Sequence, residues 1–257
     1  MPAIGRWYAK AAIRSARDAR EWGISPHRAL IIALLPFGMA LVTAATVLHP
    51  PLYIWLLDED SLVEWLQFFC LVASAILLPI LAVRLSRTGH RLIAVLYATV
   101  AVGVCFLAGE EISWGQRIFG WQTPEAMEAI NRQGETTLHN ISGVQDLVPA
   151  AMLLAGLYGM CAPMVLNAVR TRWNRGGSAH LLVPPLCLVP AFGLGVAYRL
   201  FRLLVWPAPD YGVAEFAEVV ELSLYLGLAL FCWFNLRRLL AARPAARTPR
   251  HSLTTAA

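Results

Sequence analysis

Residues 92–117 read LIAVLYATVAVGVCFLAGEEISWGQR, and this stretch decides the fold class. From Leu92 to Ala108 there is no charged side chain, and a helix over that run rises about 25 Å, most of the ~30 Å hydrocarbon core of a bilayer. The run stops on two adjacent carboxylates, Glu110 and Glu111, followed by Ser113, Trp114, Gln116 and Arg117. An apolar span that ends in such a polar and aromatic set predicts a transmembrane helix with a site at its mouth.

Outward from this stretch the pattern repeats. Apolar runs at Ala29–Leu48, Leu62–Val83, Leu147–Val169, Leu181–Trp206 and Ala214–Leu236 bring the expected spans to six in a chain of 257 residues. With 58% hydrophobic and 14% charged residues, the composition sets aside a soluble domain and predicts an all-α, polytopic membrane protein. Residues 1–28 form a basic segment, 29–242 the six-helix membrane domain and 243–257, rich in Ala, Pro, Arg and Thr, a disordered tail. The run after residue 28 lacks a cleavage site and reads as an uncleaved first span. Cys70, Cys105, Cys161, Cys187 and Cys232 all fall within spans without CxxC spacing, so they read as small packing residues.

The net charge of +5 is a topology signal, because Arg and Lys gather in alternate loops. Arg6, Lys10, Arg14, Arg17, Arg20 and Arg28 precede span 1; Arg84, Arg87 and Arg91 follow span 2; Arg170, Arg172 and Arg175 follow span 4. Arg237, Arg238, Arg243, Arg247 and Arg250 follow span 6, so both termini are expected in the cytoplasm, with no nucleic-acid partner implied. Trp55, Trp65, Trp114, Trp121 and Trp206 mark an aromatic belt at the opposite interface. Ile13, Ala16 and Trp22 among the first basic residues suit an amphipathic helix on an anionic leaflet. In the outer loop after span 3, Thr123-Pro124-Glu125 is a helix-start signal and Gly134 a stop, which predicts a short interfacial helix capping the bundle.

Glu64, Glu110, Glu111, Arg199, Arg202, Glu218 and Glu221 lie near the outer ends of the spans. Burying a charge there costs ~3 kcal/mol on the lenient insertion scale, so these groups are expected to face the bundle interior and find partners. Folding the hairpin at Pro207–Gly212 sets Arg199 level with Glu218 and Glu221, and Arg202 level with Glu215 and Glu218. That arrangement reads either as an interhelical ion-pair ladder or as part of a site. On a helix continued past Glu111, residues Glu110, Ser113, Trp114 and Arg117 would share one face, with Glu111 turned toward a neighbouring span. Excess acid calls for protonated carboxyls, a cationic ligand or a divalent ion. Glu111, His139, Glu218 and Glu221 form a donor set acceptable to Zn²⁺ or Mn²⁺, although no HExxH spacing supports it. An Arg beside carboxylates also suits a phosphate-bearing headgroup.

The string Glu110-Glu111-Ile112-Ser113-Trp114-Gly115-Gln116-Arg117, with Glu135 and Leu138-His139-Asn140 downstream, resembles a bacterial family of multi-pass membrane proteins carrying an EExSWGQR signature. That resemblance covers Gly109 to Asn140 and implies no particular activity. The EE…R element is also similar to that of the CAAX-type glutamyl membrane proteases. Their pattern is EExxxR with FxxxH and HxxxN on later helices; here Arg117 is two positions further along and no later span carries such a histidine.

Two functions follow as expectations. One is a membrane-embedded hydrolase or transferase acting on a lipid or lipid-linked substrate at the extracytoplasmic face. In it Glu110 or Glu111 is general base or metal ligand, His139 acid/base and Arg117 an anion clamp, with Trp114, Gln116, Asn140, Arg199 and Arg202 as substrate contacts. The other is a transporter or assembly partner whose buried charges are structural ion pairs. Ionisable residues are nearly absent from the inner halves of the spans, which favours a one-sided site over a translocation path.

Overall fold

The computed structural model describes residues 3–58, 60–131, 134, 136–138, 141, 143–144, 147–169 and 178–241. Among them the chain is helical, apart from an isolated antiparallel bridge between Asn131 and Ile141. In order the helices are α1 (Ala3–Glu21), α2 (Pro26–Thr46), α3 (Pro50–Leu57), α4 (Leu62–Arg87), α5 (Arg91–Glu111), α6 (Gln116–Phe119), α7 (Glu125–Glu128), α8 (Val148–Val169), α9 (Ala179–Leu182), α10 (Val189–Leu204) and α11 (Tyr211–Ala241). Six segments are long and apolar enough to cross a membrane: α2, α3 with α4, α5, α8, α9 with α10, and α11. Large apolar side chains such as Leu41, Val102 and Leu154 point outward from them, as lipid requires and water would not.

Helix starts follow local chemistry. Ser25 and Ser61 stand before α2 and α4, and each hydroxyl accepts a backbone N–H three residues on, Arg28 N and Glu64 N, both at 3.3 Å. The same Ser61 separates α4 from α3, a two-turn helix between spans 1 and 2 that the hydropathy pattern did not distinguish. Tyr53 on α3 donates its hydroxyl hydrogen to the Gly212 carbonyl, tying α3 to the first turn of α11.

The last helix is the axis of the bundle. α11 packs against α4, α10, α2 and α3, and its buried residues, among them Val219, Val220, Leu224, Cys232 and Phe234, cover more than one face. α5 lies against α4, and α8 against α10. The α8–α10 contact depends on absent side chains: a Cβ on Gly159 would sit 2.2 Å from the Phe192 ring, and one on Gly156 3.0 Å from Val196. Small residues let the two backbones approach closely, the usual source of helix association in lipid.

The span expected as one helix over Leu181–Trp206 is broken. Pro184 and Pro185 lack N–H groups and interrupt the ladder between α9 and α10. Freed backbone groups in an apolar medium need partners. The Leu181 carbonyl accepts from Tyr97 OH and the Leu182 carbonyl from Tyr158 OH at 2.8 Å. Leu186 N donates to Asp18 Oδ2 at 2.7 Å, so the end of α1 caps the second half of the span. That end does more than lie on a surface: Ala19 and Trp22 are buried, and Arg238 stands 4.5 Å over the Trp22 ring. The expected disordered tail 243–257 and the basic residues Arg170, Arg172 and Arg175 lie outside the described residues.

Candidate functional site

α5 does not continue past Glu111. Ser113 (φ 46°), Trp114 (φ 54°) and Gly115 (φ 82°) are consecutive left-handed residues, so the expected shared face of Glu110, Ser113, Trp114 and Arg117 is not formed. Left-handed backbone costs a residue with a Cβ about 1–2 kcal/mol. Contacts made by the reversed chain offset that cost. Trp114 folds back over α5, its ring covering Gly109, where a Cβ would stand 2.8 Å from ring carbons, and meeting Phe106 edge-on at 5.5 Å. Its indole N–H donates to Glu110 Oε1 at 2.6 Å.

The motif's polar side chains then turn out to hold the loop beyond it. Glu110, only 3% exposed, accepts Leu138 N on its other oxygen at 2.7 Å. Gln116 Oε1 accepts Thr136 N at 2.7 Å while its Nε2 donates to Thr123 Oγ1 at 2.7 Å, and that hydroxyl donates to the Gly134 carbonyl at 2.6 Å. Asn131 Nδ2 closes the loop on the Thr137 carbonyl at 2.7 Å. Thr123 is therefore occupied within the loop instead of capping a helix, and the expected interfacial helix shrinks to the single turn of α7. Glu110, Trp114 and Gln116, expected at catalysis or substrate, have these intramolecular partners. His139, Asn140, Glu135 and the side chain of Arg117 lie outside the described residues.

Glu111 faces the other way. Tyr225 on α11 is its neighbour there, and Glu221, Glu218 and Glu64 lie within electrostatic reach. Glu111 also lines a small cleft open to solvent with Asp60, Glu64, Trp65, Ile112 and Ile118. One turn along α4 from Glu64, Gln67 is fully buried and its Nε2 donates both to the Glu218 carbonyl at 2.7 Å and to Glu218 Oε2 at 2.9 Å. Arg199 pairs with Glu221 at 2.9 Å, one of the two partners its level predicted. Arg202 does not reach Glu215 or Glu218; its Nη1 donates to Tyr198 OH one turn back at 3.2 Å, and Tyr198 OH in turn donates to the Val213 carbonyl at 2.8 Å. The physical reason is that Tyr198 stands between the guanidinium and α11, with both Arg199 and Arg202 within 6 Å of its ring (5.6 and 5.9 Å).

Of the expected metal donors, Glu111, Glu218 and Glu221 are among the described residues and His139 is not. Among the described residues no three His, Cys, Asp or Glu side chains stand in an arrangement that would hold an ion. Glu218 turns to Gln67 and Glu221 to Arg199, while Glu111 turns to Tyr225. Gln67, Tyr198 and Tyr225 are the site residues that the sequence reading missed. Their signal was helical spacing, since Gln67 follows Glu64 by three and Tyr225 follows Glu221 by four, which puts each beside a flagged carboxylate. Comparison of the chain with protein-family models, with characterised proteins and with solved structures gave no match.

Proposed function

We propose that the chain is a multi-pass protein of the bacterial cytoplasmic membrane, with both termini in the cytoplasm, and that its outward-facing carboxylate site performs hydrolysis or group transfer on a lipid or lipid-linked substrate. The observation that carries this reading is the division of labour between adjacent carboxylates: Glu110 is spent on the loop, whereas Glu111 faces a cleft beside Tyr225. Glu111 is the general base, taking a proton from water or a substrate hydroxyl, and the Tyr225 hydroxyl orients it. Arg199 and Arg202 supply positive charge for a phosphate-bearing group. The orientation rests on the Arg-rich alternate loops, and the one-sided action on the gathering of carboxylates at a single end of the spans.

The test is turnover in vesicles made from total lipid extract of bacterial inner membranes, with products followed by mass spectrometry. Wild type should form a time-dependent product that Glu111→Gln abolishes while the variant still folds. Equal product from both, or none from a well-folded wild type, would remove the reading. A second reading, in which these charges only hold helices together, is favoured by the Arg199–Glu221 pair. Under it the swap Arg199→Glu with Glu221→Arg restores accumulation, and Glu111→Gln has no functional effect.

A further inference from the structure

Resting on that reading, we infer that the site receives a zwitterionic headgroup of the phosphoethanolamine type, its primary ammonium on the Gln67–Glu218–Glu111 side and its phosphate on the Arg199–Arg202 side. Two independent sets of unmet hydrogen-bonding groups point there, and they have opposite sign.

On the first side the unmet group is an acceptor. Gln67 is fully buried, its amide nitrogen donates twice to Glu218, and its Oε1 has no partner. Exchanging the amide's oxygen and nitrogen does not resolve this, because the oxygen would then face the Glu218 carbonyl and carboxylate, both acceptors. Glu64, three residues earlier on the same face of α4, lines the cleft, and Glu218 and Glu111 lie within electrostatic reach of each other. An amide oxygen among carboxylates calls for a donor that carries positive charge. A primary ammonium offers three N–H groups in a tetrahedral set.

On the second side the unmet groups are donors. Arg199 spends Nη2 on Glu221 and Arg202 spends Nη1 on Tyr198, but the Nε of each is buried without a partner. The Nε edge of a guanidinium is suited to bidentate binding of phosphate. Glu221 is the link between the two sides, bonded to Arg199 and neighbour to Glu111. A simple amine or metal ion answers only the first demand and a simple phosphate only the second, whereas a headgroup with both charges a few bonds apart answers both. The rim adds a lipid's signature: Ile118, 56% exposed, lines the cleft, and its chain neighbour Phe119 is 72% exposed, an apolar path for acyl chains.

The test is retention measured by native mass spectrometry of the protein in a non-ionic detergent. Short-chain phosphatidylethanolamine is compared with phosphatidylglycerol, which has no amine, and phosphatidylcholine, whose ammonium has no N–H. The ethanolamine lipid should be held at least about tenfold more tightly than either. Glu218→Gln and Arg202→Gln should each erase most of that preference. Equal retention of the three lipids, or preference for the glycerol lipid, overturns the inference, and this wild-type comparison decides even if a variant fails to fold. Competition by water-soluble glycerophosphoethanolamine supports the headgroup site and assigns it to a free ligand; its failure to compete, with the preference intact, assigns it to the lipid. Turnover without the preference sinks the headgroup and leaves the enzyme reading, while the preference without turnover does the reverse.

Discussion

Replacing each of the two adjacent glutamates by glutamine should give opposite results. Glu110 is buried, and its carboxylate oxygens accept Trp114 Nε1 at 2.6 Å and Leu138 N at 2.7 Å. A glutamine amide keeps one acceptor and presents an NH₂ where the other donor points, so one bond to a charged acceptor is lost and a donor is left unmet. That costs about 2–3 kcal/mol. In a chain of this size the melting temperature should fall by about 4–12 °C. Glu111→Gln keeps an acceptor for Tyr225 and removes a negative charge near Glu218 and Glu221, so it should melt at or above the wild-type temperature. Tryptophan fluorescence during a thermal ramp in detergent measures both. Trp114→Phe deletes the indole donor, and in that background the cost of Glu110→Gln should shrink by about 1 kcal/mol or more, as expected for contacting partners. A Glu110→Gln variant as stable as wild type, or a Glu111→Gln variant that is the weaker of the two, would refute the division of roles.

Gly159→Ala drives a Cβ to within 2.2 Å of the Phe192 ring and should cost about 1–3 kcal/mol, read as a lower melting temperature in detergent. Tyr97→Phe strips the Leu181 carbonyl of its donor and the buried Asn235 Nδ2 of its acceptor (3.1 Å); the loss should be about 2–4 kcal/mol by the same assay. An unchanged melting curve in either case would mean that the α8–α10 contact or the span break is not held as described. Orientation is checked with a membrane-impermeant maleimide: Asp210→Cys should label in intact spheroplasts and Thr88→Cys only after permeabilisation, and the reverse pattern would overturn the assigned sidedness.

The spans were legible because their signal is redundant: a run of twenty apolar residues survives a change at any one of them, and the observed helices agree with the runs to within a few residues at most ends. Breaks were harder to read. Pro184-Pro185 stood inside an apolar run, and what makes the break tolerable, Tyr97, Tyr158 and Asp18, comes from other elements entirely. The pairing of Arg199 with Glu221 was legible from helical register alone, since two antiparallel helices joined by a short turn place equal counts at equal depth. Register says nothing of rotation, however, and rotation sent Glu218 to Gln67 and Arg202 to Tyr198.

The polar density after span 3 was misleading for a reason that also explains the motif. Successive residues on a helix point about 100° apart, so a Glu-Glu pair at a helix end serves two directions at once. A right-handed continuation would have put Glu110, Trp114 and Arg117 in one row facing one site. The left-handed turn at Ser113, Trp114 and Gly115 instead brings the indole back onto Glu110, and the strain in that backbone is held down by the same bonds that seat the loop. Turn and loop are thus one unit: loosening Leu138 from Glu110 removes part of what offsets the cost at Ser113 and Trp114. Glu111 stands at the foot of that unit, with Ile112 and Ile118 from either side of the turn forming the wall of its cleft. On the proposed reading the motif positions one carboxylate, and most of its polar residues, held within the turn and loop, are the means of doing so.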